Sequence, residues 1–261
     1  MDRVAARVSE LAASYEPPGF AHIPDPQAAI FLCAVDHRTG YRGRYLVGGR
    51  GPYEGSALMW AVGLRAAERE HDLLRAGRLS AVTGAEVAEL FRIGGETVVD
   101  PDRRAALWRD LAEGLERDYE GSATALLAAG EGRLAGVGGL VPRLAAFEAY
   151  ADPLGKKAFL FAKICERRGW LFVADPEHWE LCADNVLMRL ALRSGLVEPG
   201  PLETVRGATR TALKRVAEET GVTPPVLDDL LWELGRDHPD LLGREGGDLL
   251  EPDRDPESAW Y

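Results

Sequence analysis

Apolar residues along this chain recur mainly at three- and four-residue intervals, the spacing of one helix face, and strict two-residue alternation is scarce. Residues 3 to 14 predict a charged amphipathic helix, and the proline-broken segment 17 to 27 predicts an extended connector. AAIFLCAV then reads as a helix, and Gly55 opens a longer one, GSALMWAVGLRAAERE, buried at its start and charged at its end. Thr83 with Glu86 three residues on is a capping box ahead of VAELF. Asp100, Pro101 and Asp102 start an amphipathic helix that aligns Leu107, Leu111 and Leu115. Two short helices split by a Gly-rich turn follow, and then an apolar helix from Lys156. Asp184 reads as the N-cap of the next helix, which runs through Leu196. An exposed amphipathic helix over 203 to 221 and a proline-led helix with Trp232 on its buried face close the fold. With no repeat and no heptad array, the pattern predicts an all-α fold. Residues 1 to 243 are expected to form one helical domain with two interleaved lobes, and 244 to 261, acidic and rich in Gly and Pro, a disordered tail.

Composition narrows the function classes. At 261 residues and 46% hydrophobic content the chain can bury a sizeable core. Its apolar runs are interrupted well before the roughly 20 residues of a membrane helix, and its first helix is too charged for a signal peptide. A cytoplasmic protein with no membrane partner is the expectation. Cys33, Cys165 and Cys182 lie in apolar surroundings without metal-binding spacing, so three buried thiols and no metal site are expected. A net charge of −11 disfavours a polyanionic partner unless positive charge is concentrated locally, whereas a small phosphorylated ligand needs only a few arginines.

One stretch is locally basic. HRTGYRGRYLVGGR, 37 to 50, holds Arg38, Arg42, Arg44 and Arg50, four glycines and no acid. Close backbone approach and forked guanidinium bonds suit a phosphate or carboxylate subsite, and a surface hairpin with solvated arginines is the alternative. The GVGG at 136 to 139 has no strand before it and reads as a helix–helix turn. Lys156 and Lys163, two turns apart, share nearly the same face of one helix. Burial there lowers an amine's pKa, whereas a nearby carboxylate keeps it charged. Asp184, as a helix cap, is placed where the helix favours negative charge. His178 reads as a surface loop residue, and no Ser/His/Asp set, metal spacing or P-loop is present.

The segments GKKAFLFAKI, ADNVLMRLALRSGL and PPVLDDLLWELGR, in that order, resemble the C-terminal half of the helix-hairpin-helix N-glycosylase superfamily. Two of its families are similar: the queuosine salvage proteins, which are queuosine 5′-phosphate N-glycosylases, and the archaeal 8-oxoguanine DNA glycosylase/lyases. Upstream, TGAEVAELFRIGGETVVDPDRRAALWRDLAEGLERDYEGSATALLAA resembles the queuosine salvage family, and the likeness spans roughly 55 to 236. That family usually continues its aspartate as D-Y-R-x-P-Q, whereas this chain has Asp184, Asn185, Val186, Leu187, Met188 and Arg189.

The resemblance implies a two-lobed helical fold and a cofactor-free hydrolase that releases a 7-deazapurine base from a nucleoside 5′-monophosphate. It makes Asp184 the catalytic acid and Lys163 the pocket lysine, with Asp228 near the pocket. Arginines of the basic stretch, Arg38, Arg42 and Arg44 among them, would hold the phosphate, and Trp60, Phe91 or Trp179 would stack on the base. The lyase family would instead assign Lys156 as a Schiff-base nucleophile acting on DNA. A non-catalytic helical scaffold is the third reading.

Overall fold

The computed structural model describes residues 1–246 and 258–260 and is mostly helical, as the hydrophobic periodicity predicts. In chain order the elements are α1 (Asp2–Ala12), α2 (Pro26–Ala34), β1 (Tyr45–Val47), β2 (Arg50–Tyr53), α3 (Gly55–Arg69), α4 (Ala76–Leu79) and α5 (Gly84–Leu90). Then come α6 (Pro101–Tyr119), α7 (Ala123–Ala129), α8 (Leu140–Leu144), α9 (Lys156–Arg167), α10 (Asn185–Arg193), α11 (Leu202–Thr220) and α12 (Pro224–Asp237). Single 3₁₀ turns lie at Glu148–Tyr150 and Pro176–His178. Among the described residues no helix is long and apolar enough to cross a membrane.

The chain divides into two compact units, Met1–Gly19 with Pro176–Ser258, and Phe20–Asp175 with Ala259–Tyr261. In the first, α1 packs on α11 and α12, and α10 packs on both of them. Val4 and Val8 of α1 join Leu187 and Leu190 of α10, Leu213 and Val216 of α11, and Leu227, Leu230 and Leu231 of α12 in one apolar core. Burying each such side chain stabilises by about 1.5–3 kcal/mol. Trp232, expected on the buried face, is only half-buried, and the Arg236 guanidinium lies 5.2 Å from the centre of its ring. The α11 helix turns Arg206 and Thr209 inward, so its inner face is less apolar than its period suggests.

The second unit is organised around α2, all nine of whose residues are buried. Asp25 caps its start by accepting from the Ala28 N–H at 2.8 Å, and Pro26 supplies a first-turn residue with no N–H to satisfy. Helices α3, α6, α7 and α9 pack around it. Because α2 has no polar face, its last carbonyls have no direct access to water and must be paired inside the protein. Side chains from other elements do this. Tyr150 Oη donates to the Ile30 carbonyl at 2.5 Å, Trp108 Nε1 to Phe31 at 2.7 Å, and Lys157 Nζ to Ala34 at 2.5 Å. Arg104 continues the series along the chain leaving the helix. It donates to the carbonyls of Val35, His37 (2.6 Å), Arg38 (3.1 Å) and Val99 (2.9 Å).

Beside the helices, β1 and β2 form a small antiparallel hairpin, the alternative weighed for the basic stretch, that pairs Tyr45 with Tyr53 and Val47 with Arg50. Its strands span three and four residues and contain Gly51 and Pro52, too short and too irregular for a two-residue period to show. In the tail, Arg244 to Gly246 are described, and Ser258 and Ala259 are buried rather than free in solvent. The rest of the tail expectation, 247–257 and 261, lies outside the described residues.

Replacing Arg104 by Met should lower stability by about 3 kcal/mol or more, because several buried carbonyls lose their donor at once. Urea denaturation would read this as a lower midpoint at unchanged slope. A loss below about 1 kcal/mol would mean that those carbonyls are reached by water instead.

Candidate functional site

In the Phe20–Asp175 unit, polar side chains converge where α2 ends. Lys157 and Arg104 are both fully buried, yet each sits on an apolar stripe: Lys157 with Phe161 and Ile164 of α9, Arg104 with Leu107, Trp108 and Leu111 of α6. A buried cation normally needs compensation. Here the negative end of the α2 dipole and the carboxylate of Asp36 supply it. Desolvation, and then the charge of Lys156, still hold the Lys157 ammonium well below its ordinary pKa. Desolvation likewise lowers Arg104, to about 10.

His37 rests on these two groups. Its Nδ1 lies 3.2 Å from Lys157 Nζ and 3.5 Å from Arg104 Nη1. A guanidinium has no lone pair to offer, so toward Arg104 the Nδ1 atom can only accept. Burial, then Lys157, Arg104, Lys156 and Arg38, push the imidazole far below its ordinary pKa and keep it neutral. Next to it, Asp36 is fixed by a different set of donors. Ser56 Oγ (2.9 Å) and Trp60 Nε1 (3.0 Å) both donate to Oδ2.

The basic stretch meets acids supplied from elsewhere in the sequence. Arg38 pairs with Asp100 at 3.1 Å, Arg44 pairs with Glu54 at 3.2 Å, and the Arg42 and Gly43 N–H groups both donate to Glu96 Oε2. Arg42 and Arg44 are exposed and Arg38 is half-buried. Phe91 is fully buried in the core, its ring 5.8 Å from that of Trp108, while Trp60 is half-buried. On α9, Lys156 is half-buried and Lys163 is buried with 3% exposure. Lys157, between them in the chain, escapes a reading based on two lysines seven apart. The signal for it is its place on the Phe161 and Ile164 stripe.

In the other unit the segment entering α10 is tied down residue by residue. Trp179 is buried, and Glu180 accepts from Arg210 (3.0 Å) and Lys214 (2.6 Å), one turn apart on α11. The Cys182 N–H donates to Asp228 Oδ1 at 2.8 Å, and Asp228 is itself buried. Asp184 then caps α10 as predicted, its Oδ1 accepting from the N–H groups of Val186 (2.9 Å) and Leu187 (3.0 Å). Two amide donors and the positive helix end favour negative charge on this half-buried carboxylate. His178 is exposed, and Cys33, Cys165 and Cys182 are free buried thiols. Compared with known proteins, the chain matches no family model and no curated protein.

The setting of His37 fixes a sign for the pH dependence of stability. Its folded pKa lies below the ordinary 6.5, so beneath that pH the unfolded chain binds a proton that the folded chain refuses. His37 therefore contributes stability that is complete above about pH 6.5 and lost as pH falls, at up to about 1.4 kcal/mol per pH unit. Urea midpoints measured at descending pH should fall more steeply for the wild type than for His37→Gln. Equal slopes would show that His37 titrates normally.

Proposed function

We propose that this protein is an N-glycosylase that hydrolyses the base–ribose bond of a modified nucleoside 5′-monophosphate, a 7-deazapurine nucleotide of the queuosine type. The supporting observation is the setting of Asp184, a carboxylate anchored by two backbone amides at the start of α10. In such a reaction the ribose becomes oxocarbenium-like as the base departs, and a fixed anion beside it lowers the barrier. The same carboxylate can take a proton from the attacking water. Anchoring through Oδ1 holds it in place without reorganisation during the reaction. The resemblance of 55 to 236 to queuosine salvage proteins, within the helix-hairpin-helix superfamily, supports the same reading. So does the net charge of −11, which suits a free nucleotide better than a DNA duplex.

Capping and chemistry at Asp184 can be separated by substitution. Asp184→Ser keeps a good N-cap and removes the carboxylate, whereas Asp184→Ala loses both. Release of free base from queuosine 5′-phosphate, followed by mass spectrometry, should fall by about 10²–10³ in both variants. Asp184→Ala alone should lose about 1 kcal/mol of stability. Full activity in Asp184→Ser would refute the assignment. Release only from duplex DNA carrying 8-oxoguanine, with a complex trapped by borohydride, would replace the reaction class with that of a lyase.

A further inference from the structure

Asp184 is fixed to its own helix by the Val186 and Leu187 N–H groups, and such a cap holds only as well as the first turn that supplies them. Helix ends fray, and the residues leading into this one, 179 to 183, belong to no helix or strand whose hydrogen bonds would steady them. Trp179, Leu181, Cys182 and Ala183 are buried there, and Glu180 alone carries a charge. Its carboxylate is divided between two partners. Oε2 accepts from Arg210 Nε at 3.0 Å and Oε1 from Lys214 Nζ at 2.6 Å, so both oxygens are held by cations one turn apart on α11. Two residues further on, the Cys182 N–H and Asp228 make a second tie, to α12.

The energy of the Glu180 pairs is small, but their leverage is not. The three side chains are 18% to 29% exposed, and ion pairs that water can reach are screened and contribute little to stability. Displacing a reacting group by about 1 Å, in contrast, can cost about 100-fold in rate. A charge set among apolar neighbours, four residues ahead of Asp184, adds little to the core. What it supplies is a fixed approach to α10.

We propose that Glu180, held by Arg210 and Lys214, is a positioning residue that fixes the entry to α10 and with it the Asp184 carboxylate. Its meaning for catalysis rests on the reading of Asp184 given above, whereas the mechanical tie does not. With the pairs intact, the first turn of α10 stays closed and Asp184 keeps both amide donors. With the pairs broken, that turn opens in a larger fraction of molecules, and each opening takes the carboxylate out of place.

The test is made on the full chain. Amide hydrogen exchange, followed residue by residue by NMR, reports the two capped N–H groups, with Leu190 deeper in α10 as the internal reference. In Glu180→Gln, exchange at Val186 and Leu187 should quicken by about tenfold while Leu190 is unchanged. Glu180→Lys combined with Lys214→Glu rebuilds the pair with its signs exchanged and should return both amides to the wild-type rate. In base release from queuosine 5′-phosphate, kcat of Glu180→Gln should fall by about tenfold with KM unchanged, the mark of a misplaced reacting group rather than of lost binding. Adding Glu180→Gln to Asp184→Ser should lower the rate no further, because a residue that acts only through Asp184 then has nothing left to place. Amides that keep the wild-type rate in Glu180→Gln, quickened exchange that the swapped pair does not reverse, or, in an active enzyme, a kcat that does not follow the amides overturns the proposal. If the wild type releases no base while the amides respond, the reading of Asp184 alone fails and the tie stands. If base release depends on Asp184 and the amides are indifferent to Glu180, the tie alone fails.

Discussion

The carbonyl groups at the end of a buried helix set the terms for half of this molecule. An α-helix leaves its last C=O groups unpaired, and α2 ends where solvent is excluded, so the remainder of its unit has to supply donors. Tyr150, Trp108, Lys157 and Arg104 come from three later parts of the chain to do so. Each is a long side chain with an apolar body and a polar tip, able to fill the core and reach the backbone together. Once two cations are committed there, their charge becomes the environment of whatever lies beside them. His37 is neutral because of a requirement that begins in backbone geometry.

The elements whose signals are local were legible in the sequence. The capping box of Thr83 and Glu86 forms as read, Asp184 caps α10, and the Leu107, Leu111 and Leu115 stripe faces inward. What was not legible depends on distance along the chain. Arg38 lies in a stretch without acids, but its partner, Asp100, is 62 residues away. Periodicity also misleads where a charged residue sits on an apolar stripe, because charge is ordinarily assigned to the solvent side. Arg104 and Lys157 break that rule, and the donors that α2 needs explain why. The hairpin is legible only as the alternative reading of a Gly- and Arg-rich stretch, since strands this short leave no period to count.

Asp184 shows how one residue can carry two requirements without conflict. A helix start calls for an oxygen acceptor, and the proposed chemistry calls for a fixed anion; an aspartate with one oxygen bound to the backbone meets both. The segment before it is tied through Glu180 to α11 and through the Cys182 N–H to Asp228 of α12, so the position of the carboxylate is inherited from helices far along the chain. Substitutions in α11 and α12 thereby act on Asp184 through its backbone.

The division of the chain has a consequence for the order of assembly. Save for Ala259–Tyr261, one unit is continuous in sequence, and its helices can meet as soon as residue 175 has been synthesised. The other joins α1 to α10, α11 and α12, which are made only after the whole stretch from 20 to 175. During translation α1 must therefore wait, its apolar stripe of Val4 and Val8 without the helices that will cover it. A helix of 11 residues is only marginally stable by itself in water, so the nascent chain carries a weakly formed, amphipathic segment while residues 20 to 175 are made. That interval exposes the chain to mispairing and to chaperone capture, and the closure of a long loop slows the last step of folding.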